Sequence, residues 1–508
     1  MKRITIYILA WTFALSMSAQ EQNVGEKLAA TPSLSVFSSL VEACDLQAEL
    51  AKYNDEEYER LYQAGTFPVE EYSSIHGFKL YSPQHRRYGY TVFAETDSFY
   101  ERAIGKTASS ITTDDVRAWI ASNGWYAGSD DALQQFVCYH ILPVSLDSAH
   151  LVIHYNELGY NRNDSLPVPT VFTSEHYETL NEGRFLLQLS EGGGVDGIYL
   201  NRRPVLDNGM RGTYYEQGTP LVEGIAVDAS KAITSLNGYI YPIDDALVYT
   251  DEVKTKVLGG RIRYDLASLF PELINGGYRL NLDKTAIQRN LLIPASSEYQ
   301  YFDNLWIADG CSFCYLDGYD KNWLNYQGDE FNVTGHYDFT FRLPPVPTDG
   351  VYELRVATQN NNQRRSVAHF SIGHDRNNLV ATGLPVDMRL GGIYWRDYIH
   401  SISSHLGWAV DTDDDAMNRL MDLRLREKGY MKAPNHYSQR PENASVRNHG
   451  DGLRRVLWRG EVKAGETLYL RLQDMLGRGF ENYQCYLDYV EWCPVSVCDN
   501  PDVPEDIW

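Results

Sequence analysis

The chain has 508 residues, with 45 Lys and Arg against 68 Asp and Glu, a net charge of −23 and 43% hydrophobic residues. So acidic a surface repels phosphate backbones and anionic lipid, which argues against nucleic acid as a partner and against binding to a charged membrane surface. The length allows about three domains, each with a core of its own.

At the start of the chain, Lys2 and Arg3 precede an apolar stretch from Ile4 to Leu15, and small residues at Ser16, Ser18 and Ala19 precede Gln20. This is the layout of a secretory signal peptide over residues 1–19. Its loss removes two bases and no acids, taking the net charge from −23 to −25. The apolar stretch is shorter than the roughly 20 residues that a membrane span requires, and no later stretch qualifies, so no transmembrane segment is expected. A lipoprotein needs a cysteine directly after the cleavage site, whereas the first cysteine is Cys44. The expectation is an exported protein, periplasmic, outer-surface or extracellular, and not a lipoprotein.

Thr31 and Pro32 read as an N-cap and first helical residue, followed by Phe37, Leu40, Val41, Cys44 and Ala48 at helical spacing. Residues 53–89 are polar and Tyr-rich, with little periodicity, and read as an insertion. Thr113 caps a second helix with Asp114 and Asp115 in its first turn, and Ser129 starts a third that places Leu133, Phe136, Val137 and His140 on one face. Short strands follow at Leu151 to Tyr155, Arg184 to Leu189 and Gly197 to Asn201, and an Asn237-Gly238 turn leads into Tyr239 to Ile243. Helices followed by strands indicate an α+β domain over residues 33–250, with a second insertion near 202–222.

Residues 253–295 read as a mixed connector with a short helix around Leu266 to Leu273. From 296 to 500 the chain reads as a mostly β domain. Tyr337, Phe339, Phe341 and Leu343 alternate with polar residues, as do Tyr352, Leu354 and Val356 beyond the Pro344 to Gly350 loop, which predicts a hairpin. Leu468, Leu470 and Leu472 form another alternating run, and Tyr486 to Trp492 form the last strand. The pattern predicts a β-sandwich, interrupted by one helix from Asp414 to Lys428.

Two blocks carry a family resemblance. Thr91-Val92-Phe93-Ala94-Glu95-Thr96-Asp97-Ser98-Phe99 resembles the first signature of the fasciclin domain, Thr-Val-Phe-Ala-Pro-Thr-Asn/Asp-x-Ala-Phe. The second signature, an Asn-Gly turn and a β run ending in Ile-Asp, is matched by Asn237-Gly238 through Ile243-Asp244, and the family's Tyr-His pair by Tyr139-His140. Glu95 stands where the family has proline and Ser98 where it has alanine. The resemblance covers 33–250 and implies a secreted, non-catalytic module that binds extracellular proteins or glycans, with Tyr139 and His140 in its interaction region. Read from the residues alone, His140 continues the apolar face of its helix and fits a hydrogen-bonded interior histidine better.

Seven cysteines cannot all pair within one chain. Cys44 and Cys138 fall at apolar helical positions and read as buried thiols. Export favours disulfides among Cys311, Cys314, Cys485, Cys493 and Cys498, with a zinc site built on Cys311 and Cys314 as the alternative. Asp411 to Asp415 resembles the start of a calcium loop, but Ala416 stands where the sharp turn requires glycine, and helix capping explains the acids. No metal and no cofactor is expected. Nucleophile elbow, phosphate loop and His-Glu-x-x-His motifs are absent, so no enzyme is expected, although dispersed carboxylates leave a divergent glycosidase as a reading. Seven of ten tryptophans lie beyond residue 290. Trp323, Tyr326 and Asp329, with Trp395 and Trp458, form the candidate sugar-stacking set, against the alternative that the rings fill a core. The last strand resembles those of galactose-binding-like jelly rolls. The functional expectation is an exported adhesion or ligand-binding protein, or a carbohydrate-binding accessory of glycan capture.

Overall fold

The computed structural model describes residues 21–73, 78–153, 172–192, 197–204, 220–279, 290–296, 299–317, 326–359, 365–389, 406–434, 447, 450, 452–476 and 484–500. The signal-peptide residues, most of the 202–222 insertion, Trp323 and Trp395 lie outside the described residues.

The two blocks that carry the resemblance pair with each other. Strands Tyr90–Glu95 and Gly238–Ile243 run parallel, Tyr90 opposite Gly238 and Glu95 opposite Ile243. They form the centre of a four-stranded sheet completed by Ile141–Leu142 and Ile233–Ser235. Gly238 meets a steric demand: a Cβ there would sit 1.8 Å from the carbonyl oxygen of Tyr90. The Asn237 side chain accepts from the Val24 amide at 2.8 Å and donates to the Leu50 and Lys52 carbonyls at 2.9 and 2.7 Å. The turn thereby holds the N-terminal helices onto the sheet.

Those helices begin earlier than the sequence pattern indicates. An additional helix, Val24–Ala29, is capped by a reciprocal Asn23 and Glu26 box. Pro32–Leu34 forms a 3₁₀ turn, and the apolar face of Ser35–Ala43 then buries Val36, Phe37, Leu40 and Val41. Helix Thr113–Ser122 is capped by Thr112 with Asp115, and Ala132–Tyr139 by Asp131, within one or two residues of the expected starts.

The 53–89 segment, read from the sequence as an insertion, has secondary structure of its own. It forms a helix, Glu56–Gln63, and two strands, Glu70–Ser73 and Phe78–Tyr81. These strands add to the edge of a six-stranded sheet whose other members are Asn290–Leu292, Ser312–Asp317, Asp329–Thr334 and Gln484–Leu487. Buried Arg86 secures the join, reaching Asp55 at 2.5 Å, Glu272 at 2.8 Å and Asp303 at 2.5 Å. The 253–295 stretch is likewise built in, because Ile262–Asp265 is an edge strand of a five-stranded sheet with Tyr489–Pro494, Gly350–Gln359, Gly452–Val462 and Tyr430–Lys432.

The C-terminal half is a mostly β, multi-sheet structure. The expected hairpin across Pro344 to Gly350 does not form. Asp338–Arg342 pairs with Leu305–Ile307 and Tyr469–Asp474, whereas Gly350–Gln359 pairs with Gly452–Val462 and Tyr489–Pro494 in a different sheet. Prolines at 344, 345 and 347 offer no amide hydrogen to a ladder, and the chain crosses between sheets there. The last aromatic run splits similarly at Asp488, into Gln484–Leu487 and Tyr489–Pro494. Phe339 meets Phe313 across facing sheets at 5.3 Å between ring centroids. The helix Asp415–Glu427 is capped by Asp414 and stops at Gly429, whose φ of +75° suits glycine. Its acids have structural partners: Asp411 binds Lys432 and Arg447, and Asp422 binds Arg447.

All seven cysteines are free thiols, contrary to the expectation of disulfides. Cys44 and Cys138 are buried as expected, and burial pushes both thiol pKa values up, to about 12 and about 11. Cys314 and Cys485 lie in strands on either side of Asp329–Thr334, which separates them. No described helix is long and apolar enough to cross a membrane.

Candidate functional site

Strand Thr173–Glu178 and the turn that follows it lie where the N-terminal and C-terminal halves meet. Asn181 accepts from the Gly183 amide at 2.8 Å, and Arg184 takes φ +55°, so the chain reverses sharply into the next strand, Leu186–Glu191. The reversal carries Arg184 across to the C-terminal half, where it donates to the Glu466 carbonyl at 2.7 Å and the Leu343 carbonyl at 2.9 Å. It also grips Glu178 through two nitrogens, at 3.1 and 2.7 Å.

A cleft of about 470 Å³ opens along this seam. His176, Glu178, Thr179, Asn181 and Arg184 line one wall, and Tyr264, Asn304, Arg342 and Thr467 the other. Arg342 reaches Glu178 from the opposite wall at 3.3 Å. Glu178 therefore sits between two guanidiniums, the bidentate Arg184 and the more loosely held Arg342. Burial, then nearby Arg203, pushes the His176 pKa down to about 3, so its imidazole is neutral at ordinary pH.

Behind the same strand lies a buried ionic network. Arg279 bonds Asp265 at 2.8 Å, approaches Glu175 at 3.5 Å and reaches the Tyr177 hydroxyl at 3.4 Å. Burial raises the pKa of Asp265 despite Arg279, and raises that of Asp488 well above the usual carboxylate range. Burial also pushes Glu330 up to about 8, against the opposing pull of Arg365.

The sequence-predicted residues that are described fall in three separate places, and none of these lines the cleft. Tyr139 and His140 are fully buried. Tyr139 donates to the Leu186 carbonyl and accepts from Asn201, both at 3.0 Å. His140 bonds Glu95 at 2.6 Å and the Phe136 carbonyl at 2.7 Å. Both are therefore interior, hydrogen-bonded groups, and neither ring is presented to a partner. Tyr326 and Asp329 do come together, but inside the ionic network. Tyr326 stacks on Arg263 at 5.0 Å, and its amide donates to Asp488. Asp329 is 1% exposed and accepts from the Tyr315 hydroxyl at 2.8 Å. Trp458 packs edge-on against buried Trp492 at 6.3 Å, as a partly buried core ring. The cleft residues escaped the sequence reading because His176, Glu178 and Arg184 belong to no motif. The available signal was local: an Asn-Glu-Gly-Arg turn beside a strand with alternating polar residues.

No family model and no curated protein sequence matches the chain. Among solved structures it is similar to the K1 cleaved adhesin domain of Lys-gingipain from Porphyromonas gingivalis W83, at 12% identity over 37% of this chain and 89% of that one, with a TM-score of 0.19. A Paenibacillus xanthan lyase matches at 10% identity over 66% of this chain and 20% of the lyase, with a TM-score of 0.21. A family GH115 4-O-methyl-α-glucuronidase with specificity for decorated arabinogalactans matches at 11% identity over 45% of this chain and 21% of the enzyme, with a TM-score of 0.18. Likenesses this slight assign no activity.

Proposed function

We propose that the chain is an exported, non-catalytic ligand-binding protein of the cell envelope, and that the seam cleft takes a glycan. The observation that carries this reading is the Arg184, Glu178 and Arg342 clamp within a cleft of about 470 Å³, a volume suited to a small saccharide. Planar guanidinium, carboxylate and amide groups at Arg342, Glu178 and Asn304 can bond neighbouring sugar hydroxyls. A glycosidase needs one carboxyl held protonated and a second free to act. Glu178 is committed to two guanidiniums, and neutral His176 offers no proton, which favours binding over hydrolysis.

The adhesive side of the reading draws on the N-terminal unit. Parallel pairing of Tyr90–Glu95 with Gly238–Ile243 supports a fasciclin-like assignment for residues 33–250. The facing sheets beyond it support a sandwich of jelly-roll or galactose-binding-like kind. The test is a glycan array with the purified full chain and its Arg342→Ala variant. Saccharide retention that the variant loses supports the proposal. Equal retention by both proteins, or none by either, overturns the cleft as the site, and release of reducing sugar overturns the non-catalytic reading.

A further inference from the structure

The row of side chains that crosses the five-stranded sheet near its C-terminal end finishes on two sulfurs. Arg459 stands opposite Glu353 on the neighbouring strand, and Glu353 stands opposite Cys493 on the next. Glu353 gathers three guanidiniums, Arg355 at 2.7 Å, Arg426 at 2.6 Å and Arg459 at 2.7 Å. After Pro494 the chain turns into a short helix, Val495–Cys498, which packs back against the strands Tyr489–Pro494 and Gly350–Gln359 and returns Cys498 to the neighbourhood of Cys493. Arg459 lies 3.9 Å from the Cys498 sulfur and holds Asp499, the next residue, through both terminal nitrogens at 2.7 and 2.9 Å. Arg459 thus holds Cys498 and Asp499 against the strand row that ends on Cys493.

The two sulfurs differ in access. Cys493 is 1% exposed, whereas Cys498 is partly exposed. We infer that Cys493 and Cys498 form a dithiol pair that oxidises to an intrachain disulfide by exchange with an external disulfide, Cys498, open to solvent, attacking first and Cys493 resolving.

The chemistry balances. The Cys498 thiolate attacks one sulfur of an external disulfide, forms a mixed disulfide and expels one thiolate. Cys493 then loses its proton and attacks the Cys498 sulfur, expelling the second thiolate. The protein gives up two electrons and the two thiol protons, and the external disulfide leaves as two thiols. The hydrogen bond from Cys493, with help from Arg355 and Arg426, holds the Cys498 pKa below its ordinary value, which raises the thiolate fraction available for the first step. The other thiols are poorly suited: burial pushes Cys314 and Cys485 up to about 12 and Cys311 up to about 11. The product bond ties the closing helix to the strand that carries Glu491, sealing that sheet end against fraying.

The test uses the full chain, reduced and then exposed to oxidised glutathione, with remaining thiols alkylated after denaturation and mapped by mass spectrometry. The expected result is a Cys493 to Cys498 disulfide, with Cys44, Cys138, Cys311, Cys314 and Cys485 all alkylated. In Cys493→Ser the reaction should stop at a glutathione adduct on Cys498, and in Cys498→Ser the buried Cys493 should stay alkylatable. A native protein that keeps both thiols, or that retains the glutathione adduct on Cys498 as fully as Cys493→Ser does, overturns the inference.

Discussion

The interiors of the two halves handle charge in opposite ways. Around the paired strands Tyr90–Glu95 and Gly238–Ile243 the core is largely apolar, and its buried acid is Glu95, bonded to His140, to the Tyr100 hydroxyl at 3.1 Å and to the Leu247 amide at 3.3 Å. In the five-stranded C-terminal sheet, fully buried Glu491 faces Arg263 at 2.8 Å, Arg454 at 3.0 Å, and Arg261 and Arg355 at 3.5 Å each. These guanidiniums hold the Glu491 pKa well below the ordinary carboxylate range although burial opposes them. In the first region one acid completes a compact hydrogen-bond set. In the second, one acid neutralises a surplus of cations that cannot reach water.

This difference ranks the expected losses. Glu491→Gln removes the carboxylate that four buried arginines share and should cost about 3–5 kcal/mol, the range for breaking a buried ion pair from one side. Glu95→Gln keeps an amide oxygen for His140 and should cost about 1–3 kcal/mol, as for a buried hydrogen bond left imperfect. Guanidinium denaturation of both variants measures the contrast. Equal losses would mean that the arginines around Glu491 find other partners.

Titration sharpens the comparison further. Glu330 is raised from 4.5 to about 8 in the folded protein, mainly by burial. Between these values the folded state holds a proton that the unfolded state has released, so the stabilisation is present below pH 4.5 and is lost as pH rises through 8. Glu330→Gln should therefore gain about 1–3 kcal/mol on wild type between pH 5 and pH 9. His176 acts at the other end of the scale. Its pKa falls from 6.5 to about 3, so its contribution is present above 6.5 and lost as pH drops through 3. His176→Gln should flatten the acid limb of the stability profile by about 1 kcal/mol. Thermal melts from pH 4 to pH 9 read both limbs, and a profile unchanged by either variant counts against the burial assigned to it.

Local signals in the sequence placed several elements to within a few residues. The expected caps at Thr113 and Ser129 fall one and two residues away, at Thr112 and Asp131, while the Asn237-Gly238 turn, the Gly429 stop and the alternation of Phe339, Phe341, Leu470 and Leu472 follow from short-range sterics and burial. Partner choice was less legible. The alternation of residues 337–343 and 352–356 shows which side chains turn inward but not which sheet receives them, and the proline loop reads alike as a hairpin turn and as a crossing. Residues 53–89 lack periodicity because their strands are short and at an edge, a pattern that a solvated loop shares. Glu491 and Glu353 alternate with apolar neighbours and so resemble a solvent-facing row, yet the sheet is covered on that side too. Tyr326 and Asp329 were singled out for stacking on sugar, and the same ring face and carboxylate instead meet Arg263 and Tyr315.

The cleft offers the smallest expected effect on stability and the cleanest separation of binding from folding. The Arg342 side chain is 28% exposed, and its ion pair to Glu178 at 3.3 Å is the longer arm of the clamp. Because solvent screens this pair, Arg342→Ala should change stability by no more than about 0.5 kcal/mol. Arg184 is mostly buried and carries two carbonyls besides Glu178, so Arg184→Ala should cost about 2–4 kcal/mol through the groups it leaves unmet. If the cleft takes a saccharide, Arg342→Ala should weaken its retention about tenfold with the melting temperature nearly unchanged, the signature of one lost charged hydrogen bond to a ligand. Isothermal titration of both variants, with any sugar that the array identifies, decides the matter. Weakened binding by Arg184→Ala alone would mean that the seam supports the fold while the ligand binds elsewhere.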